Sequence, residues 1–118
     1  MTPAQAFVEQ LAHVDVRITK LLLEHTRDHD ESLPHLFMGD VARFAGELAR
    51  HRGPDDDALD ELLAAIERAL TSGLADVEEL VVVSFLENLH QTGDAYGEIA
   101  RRLGPRSRCA LDLVERER

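Results

Sequence analysis

Hydrophobic residues recur at intervals of three and four along most of this 118-residue chain, and glycine and proline cut the pattern into segments of helical period. Thr2 and Pro3 offer a cap and a first position. Phe7, Leu11, Val14, Ile18, Leu21, Leu22 and His25 then line one face, which predicts a helix to about residue 28. The stretch "DHDESLP" interrupts it. Phe37, Val41, Phe44, Ala45 and Leu48 define a second helix that ends at Gly53 and Pro54, with Gly39 a weak point inside it. Asp55, Asp56 and Asp57 open a third, supplying a capping oxygen and negative charge where the helix dipole favours it. Its stripe is Leu59, Leu62, Leu63, Ile66 and Leu70, and Gly73 lies just past its end.

A fourth helix starts at Ser72 or Asp76 and stops near Gly93. It contains "EELVVVSFLENLHQ" (78–91), whose three consecutive valines favour a strand locally. Val77, Leu80, Val81, Leu86 and Leu89 nevertheless extend the apolar pattern over more than ten residues, and no other segment alternates with period two to pair with it. Positions 80, 81, 82, 83, 85, 86 and 89 are apolar almost all round, so the segment of about 76–92 is expected to be the central, most buried helix. A short fifth helix follows between Asp94 and Leu103, and a sixth from about 106 to 116, amphipathic through Cys109, Ala110, Leu113 and Val114. The expected fold is all-α: one domain over 1–118, with five or six helices in a bundle or a short stack of helical hairpins.

Composition narrows this picture. A chain that is 44% hydrophobic and 31% charged is too apolar for a disordered protein, and the single Cys109, read as a small core residue, excludes an internal disulfide framework. The N-terminal stretch lacks a signal-peptide pattern and no window approaches a membrane span, so a cytoplasmic protein without membrane association is expected.

Charge is what changes the functional picture. Of the formal net charge of −10, residues 54–80 carry −8, with nine acids against one base, whereas residues 81–118 are neutral overall. Clustered lysine and arginine are needed to contact phosphates, so nucleic acid is excluded as a partner and a basic protein is implied. Candidate partner-binding residues are Asp55, Asp56, Asp57, Asp60, Glu61, Asp76, Glu78 and Glu79. Arg101, Arg102, Arg106 and Arg108 form the basic cluster, which can equally pair internally with the acidic segment.

Ser84, Glu87, Asn88 and Gln91 make a narrow polar stripe on the fourth helix. It serves either as a solvent-facing edge or as a contact strip in which Glu87 and Asn88 hydrogen-bond a partner. His25 and His29, four apart on one helical face, are the candidate metal ligands, with Glu24 or Asp28 adding an oxygen and His35 a third ligand. Two ligands do not make a site, and histidines near a helix C-terminus are also explained by the dipole, so neither a metal nor a cofactor is expected. No phosphate-binding loop, dinucleotide fingerprint, zinc-protease or serine-hydrolase motif occurs.

The stretches "HLFMGDVARF", "VEELVVVSFLENL" and "RRLGP", spread over most of residues 35–105, resemble a family of small uncharacterised bacterial helical proteins with the "VSFLENL" motif. Proteins of this type look like immunity proteins, which neutralise secreted bacterial toxins by tight contact. The resemblance therefore implies a cognate toxin as the basic partner, and it carries over no catalytic residues to this chain. Two other readings are a metal-binding or enzymatic helical protein that uses His25 and His29, and a self-associating regulatory or scaffold module with an apolar helix face left exposed.

Overall fold

The threonine–proline start forms its helix as the sequence requires. In the computed structural model, which describes residues 1–29, 33–51, 53 and 56–117, Thr2 and Gln5 form a reciprocal capping box at the head of α1 (Pro3–Ala12). The predicted first helix does not run on to residue 28. It breaks after Ala12 and resumes as α2 (Val16–His29). Asp15 is the reason: its Oδ1 accepts the Arg17 backbone N–H at 2.8 Å, while the Thr19 hydroxyl donates to the Ala12 carbonyl left open by the break. A short acidic side chain competes with the helix for backbone hydrogen bonds and starts a new one.

α3 (Pro34–His51) is a single long helix, and Gly39 does not interrupt it. Gly46 in the same helix has a packing role, since a Cβ there would lie 3.1 Å from Thr92 Cγ2. α4 (Ala58–Leu70) buries its expected stripe of Leu59, Leu62, Leu63, Ile66 and Leu70. Its N-cap residue, Asp57, makes no side-chain cap bond; the Ala58 N–H is taken instead by Asp56 Oδ1 at 3.0 Å. After a turn at Gly73 (φ +75°) comes α5 (Ala75–Val81).

The segment expected to be one central helix is three pieces. α5 passes into a π-helical turn, Val82–Leu86, closed by the Glu87 N–H to the Val82 carbonyl at 3.0 Å, and then into a 3₁₀ stretch, Leu89–Ala95. Val77, Leu80, Val81, Phe85, Leu86 and Leu89 are buried, as a central position requires, but Val83 is 45% exposed. The middle of the molecule is shared with α3, which packs on α1, α2, α4 and α5 and on both irregular pieces. Gly93, at φ 65° and ψ −122°, bends the chain where the fourth helix was expected to stop, and α6 (Tyr96–Arg102) begins two residues later than the predicted Asp94.

α7 (Pro105–Arg116) buries Ser107, Leu111 and Val114, and Ala110 packs against the core, so only Ala110 and Val114 of the predicted stripe face inward. Cys109 is exposed and Leu113 is 53% exposed, so both lie on the outer side of the helix. The described residues thus form seven α-helices and no strand, against the five or six helices expected. Their radius of gyration, 13.3 Å, matches the roughly 13.5 Å of a single domain of this length.

Candidate partner-binding surface

The acidic residues of α4 divide into two groups. Three are taken up by contacts with other helices. Asp56, just before α4, accepts from both terminal nitrogens of Arg17 at 3.1 and 3.2 Å, and Arg17 is held on its other side by Asp15 at 2.9 Å. The Arg17 hydrogen bonds hold both carboxyls below their ordinary values, with the Ala58 N–H adding to the effect at Asp56, while the two acids raise the Arg17 guanidinium. Asp60 pairs with Arg102 of α6 at 3.1 Å, and Arg102 also meets Glu98 at 2.7 Å.

The third contact, at Glu67, is one that sequence reasoning missed. Its Oε1 accepts the Ser107 N–H at 2.9 Å and the Ser107 hydroxyl at 2.8 Å, and its Oε2 accepts the Arg106 N–H at 3.0 Å. A carboxylate of α4 thereby caps the N-terminus of α7 from about 40 positions away in the chain. Burial alone would raise this carboxyl, but the Ser107 and Arg106 hydrogen bonds outweigh it and hold Glu67 below its ordinary value. The latch needs Gly104, because a Cβ there would lie 2.6 Å from Glu67 Cδ. It also explains the rotation of α7: Ser107 is fully buried against Glu67, and Leu111 and Val114 follow it on that face. Arg108 extends the same corner by donating to the Ala100 carbonyl at 2.9 Å, so three of the clustered arginines make internal contacts: Arg101 with Glu98, Arg102 with Asp60 and Glu98, and Arg108 here.

The second group faces outward. Asp57 at the N-cap of α4, Glu61 on α4, and Asp76 and Glu79 on α5 are exposed and make no ion pair among the described residues; Glu78 is half-buried. α4 and α5 pack together, so these carboxylates belong to adjacent elements. Asp55 lies outside the described residues.

The polar stripe 84–91 is split by the π turn, because a turn closed five residues back advances each side chain through a smaller angle than an α turn. Glu87 and Gln91 are exposed. Ser84 is 5% exposed, pairs with His35 Nδ1 of α3, and has its carbonyl bonded by the half-buried Asn88 amide at 2.8 Å. Ser84 therefore ties the π turn to α3, Asn88 braces the turn from within its own segment, and Glu87 is left as the outward carboxylate.

The three histidines do not converge. His25 is buried, its Nε2 accepting the Leu33 N–H at 3.1 Å, which puts the proton on Nδ1, 3.8 Å from Asp40 Oδ2. His29 lies beside it, with ring centroids 4.6 Å apart, but His35 points to Ser84. Among the described residues no group of three or more His, Cys, Asp or Glu is placed to hold a metal ion.

A family model described as a domain of unknown function, DUF7674, matches residues 7–116. The chain belongs to this family. The matched region runs from within α1 to the end of α7, so it takes in all of the helical body but the first turn of α1. No curated protein and no solved structure matches the chain. No helix among the described residues is long and apolar enough to cross a membrane.

Proposed function

We propose that this protein is an acidic cytoplasmic binding protein, with no catalytic role, whose outward carboxylates on α4 and α5 dock onto a basic protein. The cognate secreted toxin of an immunity pair is the partner class. One observation carries the reading. α4 commits Asp56, Asp60 and Glu67 to its own fold, yet Asp57, Glu61, Asp76 and Glu79 remain exposed and without ion pairs among the described residues. Exposed unpaired carboxylates contribute little to folding and repel one another, but they steer a positively charged partner and raise its association rate. Glu87, on the outside of the π turn, extends the acidic set, whereas Asn88 contributes through the fold.

The test uses the product of the adjacent gene and a variant of this protein with Asp57→Asn, Glu61→Gln, Asp76→Asn and Glu79→Gln. Its association rate should fall at least roughly tenfold at low salt and lose most of its dependence on ionic strength. Its thermal midpoint should stay within about 2 °C of the parent, because surface substitutions away from structural contacts cost little. An unchanged association rate and salt dependence would remove these carboxylates from the interface.

A further inference from the structure

A groove of about 310 Å³ opens between α1, the C-terminal half of α4 and the start of α5, and its walls are largely apolar. This volume falls at the lower end of the roughly 300–1,000 Å³ of small-molecule sites, which pair apolar walls with a few placed polar groups. Here the polar lining residues are Gln10, Ser72 and Arg68, and Arg68, the one base among residues 54–80, is the charged one. Ala64 and Ala65 of α4, and Thr71 and Ser72 just past its end, occupy the positions three and four residues away, so no acid is in register to neutralise it. Its guanidinium has no ion-pair or hydrogen-bond partner among the described residues. The other structural arginines of the interhelical contacts, Arg17, Arg50 and Arg102, are each paired with carboxylates.

We propose that this groove binds a small apolar carboxylate. The alkyl chain lies against Phe7, Leu11, Val14, Leu74 and Val77, and the carboxylate meets Arg68 at the rim. Two physical features select this class. The walls reward burial of an unbranched chain at about 25 cal/mol per Å², and the planar guanidinium fork matches a carboxylate with two parallel hydrogen bonds. The groove shares α4 and α5 with the outward acids proposed to meet a protein partner, but none of those acids lines it, and neither idea depends on the other.

The charge of the protein makes the test sharp. With a net charge of −10, nonspecific adsorption of an alkyl chain favours a cationic head, so only a local cation reverses the preference. Decanoate and decylammonium, each below its micelle concentration, are titrated into the ¹⁵N-labelled protein. Decanoate should shift the amides of Gln10, Arg68 and Leu74 saturably, and decylammonium should bind at least roughly tenfold more weakly. Arg68→Gln should weaken decanoate by about tenfold and Arg68→Glu should abolish its binding, both with unchanged spectra elsewhere because Arg68 is exposed. Absence of saturable shifts overturns the site. Equal binding of the two amphiphiles, or an Arg68→Gln variant that binds decanoate like the parent, also overturns it; the arginine stem then only covers apolar wall.

Discussion

Replacing Glu67 by glutamine or alanine removes the latch between α4 and α7 in two steps. Glutamine keeps one oxygen acceptor and loses the charge that faces the positive end of α7, a change worth about 1 kcal/mol. Alanine also leaves the Arg106 and Ser107 N–H groups and the fully buried Ser107 hydroxyl without their acceptor, for a total of about 2 kcal/mol. At about 4 °C per kcal/mol for a domain of this size, thermal midpoints should fall by about 4 and 8 °C. The effect must also depend on pH in one direction. The folded carboxyl lies below its ordinary value of 4.5, so its contribution is complete above that value and is lost as the pH falls through the lower folded value. Urea unfolding followed by circular dichroism should therefore show the full gap between parent and Glu67→Gln at pH 7 and a smaller one at pH 3. Gly104→Ala supplies a cross-check: its Cβ displaces the Glu67 carboxyl, so it should cost far less in the Glu67→Ala background than alone. Refutation is a Glu67→Ala protein as stable as the parent at pH 7, a gap that is constant with pH, or strict additivity with Gly104→Ala.

Two further outcomes concern single positions. Gly93→Ala should lower stability by about 1–3 kcal/mol, since φ 65° with ψ −122° is a region that only glycine occupies without strain; a loss under 0.5 kcal/mol, roughly the noise of surface substitutions, would place the bend elsewhere. Cys109 should react stoichiometrically with a thiol reagent in the native protein, without denaturant, because it is exposed on α7; protection until unfolding would return it to the core.

Strong periodicity made much of the architecture legible. The stripe of α4 and the span of α3 follow from apolar spacing alone, because a helix buries whichever face its sequence makes apolar over several turns. Where the apolar residues exceed one face, spacing loses its force: Val82 and Val83 fit any angular position, and the π turn decided that Val83 faces outward. Local polar competition was equally hard to read. Asp15 breaks the first helix by capping its successor, although the hydrophobic stripe from Phe7 to His25 continues through it.

The sequence by itself determined that the chain is helical, that its negative charge is concentrated in residues 54–80, and that no recognised catalytic motif accompanies it. Only the tertiary structure sorted that charge. Asp56 meets an arginine 39 residues away, Asp60 one 42 residues away, and Glu67 a helix start about 40 residues away, whereas Asp57, Glu61, Asp76 and Glu79 stay outside. A carboxylate's partner is set by which helices pack together, and local spacing carries no information across that distance. The same packing turned Ser107 inward and Cys109 outward on α7, because the buried hydrogen bonds of the Glu67 cap fix the helix's rotation more firmly than its weak apolar stripe.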